Sequence, residues 1–196
     1  MARRARFRPF SVTRRTYAAR EQGCLLFCLR ETGRAGRPGR KDQVVPLSRL
    51  QEKLKANWES PDLPVALEIC SGTEVLGIGG RRIVIAADGG VAKLAWKEAG
   101  LLDNEIEWLL WSSASSELRS LLCPTHALTA AGVALQELCL PVSFEALGQR
   151  GREAMHDLAS HGISDVAVNL GLLDDRVVCY DYCAVSADLY RGLFGL

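Results

Sequence analysis

Lys93, Glu105, Glu107, Asp165, Asn169 and Asp181 are the residues whose types and order could do chemistry in this chain. Lys93 falls in the apolar run 91–95, and the segment after it carries Glu105 and Glu107. A lysine on a strand, paired with a carboxylate on the next helix, is held as a fixed positive charge that can face a phosphate. Further on, Asp165 and Asn169 precede a short apolar run that ends at Asp181. Three oxygen-bearing side chains placed in this way could surround a magnesium ion. Upstream, Gly77-Ile78-Gly79-Gly80 sits where two strands meet, and glycines there let backbone N–H groups approach phosphate oxygens. Each feature also has a plain structural reading. The glycines suit a hairpin turn, Lys93 an exposed position, Glu105 and Glu107 a solvated helix face, and Asp165, Asn169 and Asp181 turn caps or a strand end.

Other chemistries lack their patterns. The glycines are not followed by Gly-Lys-Ser/Thr, as a phosphate-binding loop of the Walker type needs, nor directly by a helix, as a dinucleotide fold needs. There is no Gly-x-Ser-x-Gly elbow to present a nucleophile. The seven cysteines include no Cys-x-x-Cys pair, and the wider spacings Cys24/Cys28 and Cys179/Cys183 fit zinc or redox motifs poorly. His156 and His161 could be imagined with Cys179 or Cys183 around a metal, but their spacing does not force them together, and surface or cap roles suffice. Reduced thiols in a cytoplasmic compartment are the expectation, and no apolar run approaches the roughly 18 residues that a membrane span needs.

The elements that must position these residues follow from the hydrophobic pattern. With 196 residues, 48% of them hydrophobic and 24% charged, the chain can bury one substantial core or two small ones. Leu47, Leu50, Leu54 and Trp58 recur at helical spacing after Pro46. Runs 65–70, 82–87 and 91–95 read as strands, the last two joined by the turn Asp88-Gly89-Gly90. Asp103 is expected to cap a helix with an Ile106, Leu109 and Leu110 stripe that runs to about Leu122. Residues 132–138 read as a strand, 144–161 as a helix and 177–180 as a short buried strand. The expected class is therefore α+β, with no internal repeat.

Charge divides the chain. Residues 1–40 hold 11 Arg against Glu21 and Glu31, and the remaining 13 Lys and Arg face 21 Asp and Glu. The overall net charge of +1 thus hides a segment of +9 and a body of −8. An Arg-rich arm can neutralise a polyphosphate or serve as a sorting signal, and it can equally remain solvated or fold onto an acidic body. Without a long apolar stretch near the start, a secretory signal is not expected. The expected organisation is a basic arm and linker over 1–42, a helix and connector over 43–64, and folded units over 65–140 and 141–196.

Taken in order, these features resemble the eukaryotic-type protein kinase fold in its compact phage and bacterial versions, over about residues 68–185. Gly77 and Gly79 match the first glycines of Gly-x-Gly-x-x-Gly-x-Val, Arg82 stands at the third, and Val84 matches the valine over adenine. Lys93 resembles the phosphate-positioning lysine, with Lys97 in Ala95-Trp96-Lys97 as a second register. Asn104, Glu107 and Trp111 look like the Asn-x-x-Glu-x-x-x-Trp helix of the small phage-type members, which selects Glu107 over Glu105. Leu135-Gln136-Glu137-Leu138-Cys139 resembles the hinge, so Glu137 and Cys139 would offer backbone groups to adenine. Asp181 matches the Asp of Asp-Phe-Gly, with Tyr182 and Cys183 in the next two places.

The resemblance implies a small antiparallel-sheet N-lobe, a reduced helical C-lobe, and ATP with Mg2+ as cofactors. It implies phosphoryl transfer to a Ser/Thr hydroxyl of a partner protein. Lys93 and Glu107 would orient phosphates, Asp165 would accept the hydroxyl proton, and Asn169 and Asp181 would hold the metal. The chain also departs from the pattern. Asp165 precedes Asn169 by four positions where the family has five, so either the loop is one residue short or Ser164 stands in the catalytic place and the base is missing. His-Arg-Asp is missing, and only 15 residues follow Asp181. These departures suit a pseudokinase, a kinase-like interaction module whose Arg-rich arm contacts nucleic acid or an acidic partner. An adaptor or assembly role is the remaining expectation; the expected location is cytoplasmic, or inside a host cell if the protein is an effector, with no membrane partner.

Overall fold

The computed structural model describes residues 24–25, 45–59 and 62–196. The Arg-rich arm expected over 1–42, and Cys28 within it, lie outside the described residues except for Cys24–Leu25.

The protein is α+β. Strands β1 (Cys24–Leu25), β2 (Val75–Gly79), β3 (Arg82–Ala87) and β4 (Gly90–Ala95) are followed by helix α3 (Ala99–Ser113), helix α4 (Ser116–Ser120), β5 (Thr125–Leu128) and β6 (Ala134–Gln136). These six strands form one antiparallel sheet in the order β1-β2-β3-β4-β6-β5. A second antiparallel sheet contains β7 (Leu140–Pro141), β8 (Leu170–Leu173) and β9 (Arg176–Cys179). Helix α5 (Phe144–Ser160) lies between β7 and β8, and α6 (Ala187–Phe194) follows β9.

Alternation along the strands sorts the large sheet's two faces. Ile83, Ile85, Ala92 and Leu94 face a core closed by helices α1 (Leu47–Lys55) and α2 (Leu63–Ile69), which contribute Leu50, Leu54, Ala66 and Cys70. Burial of each Ile or Leu side chain among them stabilises the fold by roughly 1.5–3 kcal/mol. Gln51 is buried at this seam; its amide donates to Ala95 O at 2.9 Å and its carbonyl oxygen accepts from Ala95 N at 2.9 Å. The opposite face carries Arg82, Val84 and Lys93 toward α3 and the small sheet, because Val84 is directly opposite Lys93 in the ladder. A second core joins Leu110, Leu118, Leu122, Leu147, Leu158, Ile163, Leu170 and Tyr182.

Several boundaries differ from the sequence reading. Residues 65–70 belong to a helix rather than a strand: Pro64 suits its first turn, and Leu63, Ala66, Leu67 and Cys70 repeat at helical spacing on the buried side. Asp103 does not cap α3. The helix starts at Ala99, and Asp103 is buried inside it, paired with Arg81 at 3.1 Å. The helix also stops at Ser113 instead of running to Leu122, and Ser115 caps the short α4 by accepting from Leu118 N. Gly90 pairs with Ala87 inside the ladder, so the β3–β4 turn is only Asp88-Gly89, with Gly89 at φ 79°. The strand expected over 132–138 is confined to β6, and β5 was not anticipated. The β8–β9 turn is Asp174-Asp175, both at positive φ as a two-residue hairpin demands. Among the described residues, no helix is long and apolar enough to cross a membrane.

Two glycines are fixed by close backbone approach. A Cβ on Gly90 would stand 2.2 Å from Gln136 O, and one on Gly100 2.5 Å from Arg81 O. Gly80, in contrast, faces open space. We expect Gly90→Ala to lose about 2 kcal/mol or more in chemical denaturation, because β4 must move off β6, while Gly80→Ala stays within about 0.5 kcal/mol.

Candidate functional site

The site lies where β3, β4, α3 and the segment after β9 converge. Lys93 projects from the middle of β4, and its ammonium donates to Glu107 Oε2 at 2.7 Å and to the backbone oxygen of Tyr180. Glu107, two turns into α3, is fully buried. Glu105 on the same helix is exposed, so of the two acids only Glu107 meets the lysine. Lys97, the other register considered, is instead stacked on the Trp96 ring at 4.4 Å.

Arg82 organises the rest. From the first position of β3 its guanidinium reaches Glu107 Oε1 at 3.0 Å, Asp181 Oδ1 at 2.6 Å and Asn104 Oδ1 at 3.1 Å, with Cys183 Sγ at 3.7 Å. The Glu107 Oε1 contact is ionic and is not aligned as a hydrogen bond. Asn104 is buried and donates its amide to Lys93 O at 2.9 Å and Gly132 O at 2.8 Å, so the same side chain pins two backbone segments and the arginine. Two cations, Arg82 and Lys93, therefore face two anions, Glu107 and Asp181, and balance them.

The electrostatics follow from this balance. Burial pushes the Glu107 carboxyl up, and the charges of Arg82 and Lys93 only partly oppose it. Burial also acts to raise Asp181, but Arg82 and Lys93, with hydrogen bonds from Cys183 and Arg82, outweigh it and hold the carboxyl well below the usual range. Burial disfavours the charge on Arg82, yet the adjacent Asp181 and Glu107 carboxylates keep it firmly protonated.

The other expected residues are only partly assembled. Asn169 is buried, but its amide donates to Asp165 O at 2.8 Å, closing the loop on itself. Asp165 is exposed at φ 57°, and Ser164 binds Ala184 O through both its backbone and its hydroxyl. Tyr182 is fully buried; its hydroxyl donates to Cys123 O at 2.9 Å and shares a hydrogen bond with Thr125. Gly79 is fixed by Trp96 Nε1, which donates to its carbonyl at 3.0 Å, and Gly77 pairs with Val84. Glu137 N donates to Pro124 O at 2.9 Å, its O accepts from Cys123 Sγ at 3.2 Å, and its carboxylate lies 3.6 Å from His126. Cys139 is buried with Cys123 and Val178. His156 is exposed beside Asp157, and His161 ends α5, so neither joins a metal cluster.

Glu107, Asp181 and Cys183 bring one ligand atom each within 4.8 Å of one another, a set that could hold a metal. Arg82 contacts all three, so its guanidinium stands where the cation would. Sequence reasoning treated Arg82 only as a substitute for a glycine. The available signal was strand alternation, which puts Arg82 on the same face as Val84 and Lys93.

Comparison of the chain with protein-family models, with curated proteins and with solved structures gives no match.

Loss of one member of the network leaves the others buried and unbalanced. Glu107→Gln should cost about 3 kcal/mol in denaturant unfolding. Asp181, whose folded value lies below its unfolded one, stabilises the protein fully above the unfolded value of about 3.9 and loses that contribution as pH falls toward the folded value. The gap in thermal midpoint between wild type and Asp181→Asn should be widest near neutral pH and shrink below about pH 4.

Proposed function

We propose that this chain is a compact protein-kinase-like domain acting as a pseudokinase, a module that presents its surface to a partner and does not transfer phosphate. Support for the kinase-like architecture comes from the strand lysine, the helix glutamate and the acid after the β8–β9 hairpin, which occur in the expected order around one cluster. The reduced C-lobe of this reading corresponds to α5, α6 and the small sheet.

The observation that carries the inactive reading is the 2.6 Å contact between Arg82 and Asp181. Arg82 and Cys183 both hold Asp181 Oδ1, so a magnesium ion at that oxygen would have to displace a guanidinium that Glu107 also contacts, and the residues as arranged disfavour Mg2+ with ATP there. One further feature agrees: Glu137, assigned to adenine, has its backbone N–H and carbonyl engaged internally. The partner we assign is an acidic surface, of protein or nucleic acid, facing the Arg-rich segment 1–40.

One specific observation favours the opposite reading, an active ATP-dependent Ser/Thr phosphotransferase: the Lys93–Glu107 pair is formed at 2.7 Å. Thermal midpoints with and without Mg2+ and ATP separate the two. The pseudokinase reading expects no shift for wild type at millimolar nucleotide. A bound ligand at about a hundred times its dissociation constant would add roughly 2.7 kcal/mol. A metal-dependent shift of that size, lost in Asp181→Asn and Lys93→Met, would overturn the reading.

A further inference from the structure

We propose that Cys123 and Cys139 form a peroxide-sensitive dithiol that closes to a disulfide and locks the connection between the two sheets. Cys123 precedes β5 and Cys139 follows β6, and these strands are antiparallel neighbours, so the two residues arrive at the same end of the ladder. Their side chains form one small cluster with Val178 of β9. Gly171 on β8 makes room for the sulfur: a Cβ there would stand 3.0 Å from Cys139 Sγ. Residues 137–139 are the whole link between β6 of the large sheet and β7 of the small one.

The two thiols are inequivalent. The mutual influence of the neighbouring thiols draws Cys139 below its ordinary value and, together with burial, pushes Cys123 up, while the Cys123 Sγ–H itself donates to Glu137 O at 3.2 Å. Cys139 keeps 7% exposure and Cys123 has none. A small oxidant therefore meets the more acidic thiol first. The remaining described thiols are engaged elsewhere. Cys179 donates to Asp181 O at 3.3 Å, Cys183 donates to Asp181 Oδ1 at 3.2 Å, and Cys70 is buried in the core under α1 and α2.

Hydrogen peroxide is the oxidant. The Cys139 thiolate attacks one peroxide oxygen, the O–O bond breaks, and the departing hydroxide takes up a proton as water. Cys139 is then a sulfenic acid. Cys123 attacks the Cys139 sulfur, forming the S–S bond, and its proton passes to the departing hydroxide, which leaves as a second water. In balance, two thiols lose two electrons and two protons, and one peroxide becomes two waters. A dithiol reductant reverses the bond by exchange. The inference does not depend on the pseudokinase reading, since it uses only the packing at the inter-sheet link.

The test is peptide mapping of the full-length protein after hydrogen peroxide treatment and alkylation of the remaining thiols. The expected product is a cross-linked peptide pair joining Cys123 to Cys139, lighter by two hydrogens and restored by dithiothreitol. Because the bond closes a loop of about 17 residues, the oxidised protein should melt several degrees higher than the reduced one. In Cys139→Ser the cross-link should vanish and Cys123 should stay alkylatable. The wild-type map decides the matter even if that variant folds poorly. Quantitative alkylation of both Cys123 and Cys139 while Cys183 or another thiol is oxidised would overturn the proposal, as would a Cys123–Cys139 bond that leaves the midpoint unchanged or lowers it.

Discussion

The buried guanidinium of Arg82 is the constraint on which the rest of the structure depends. A charge taken out of water on this scale is tolerable only if its partners are close, opposite in sign and themselves satisfied. Arg82 meets this condition with two carboxylates and one amide oxygen, drawn from α3 and from the segment after β9. Glu107 in turn requires Lys93, and Lys93 requires the backbone oxygen of Tyr180. The network therefore cannot be shifted at one point without exposing an unbalanced charge at another. It ties the large sheet, α3 and the chain beyond the small sheet into a single arrangement, which apolar packing, being non-directional, would specify less sharply.

The same constraint shapes the chemistry available. In a site built to receive a metal and a polyphosphate, the carboxylate that binds the metal must be open to it. Here Asp181 is only 34% exposed on its side chain and carries an arginine in direct contact. The turn Gly80-Arg81 closes tightly onto the β4–α3 connection, where Trp96 N and Lys97 N both donate to Arg81 O, at 3.0 and 3.3 Å. These contacts make an internally neutralised centre that holds shape, which supports the interaction role we propose.

Much of this was legible in the residues. An apolar run around Lys93, a helix bearing Glu107 and an acid at the end of an apolar strand are local signals, and the ion pair they foretell is present. Arg82 was harder to read because its role comes from a contact 99 positions away with Asp181, which no local pattern encodes. Asp103 misled for a related reason. An acid before an apolar stripe normally marks a helix start, but Arg81 gives this one a partner within the helix, and the true start at Glu98-Ala99 carries no capping signal. Residues 65–70 misled because their β-branched and apolar content suits a strand, while the helical spacing of Leu63, Ala66, Leu67 and Cys70 gains meaning only once the sheet beneath them exists. The internal closure of Asn169 on Asp165 was equally hidden, since spacing cannot show which way an amide points.

The central claim is that Arg82 and Asp181 are energetically coupled across the two halves of the fold. A double-mutant cycle in denaturant unfolding, with Arg82→Met, Asp181→Asn and the combination, measures that coupling directly. The account predicts that the double variant loses less than the sum of the single variants by about 1–3 kcal/mol. Losses that add, with the discrepancy within about 0.3 kcal/mol, would contradict it.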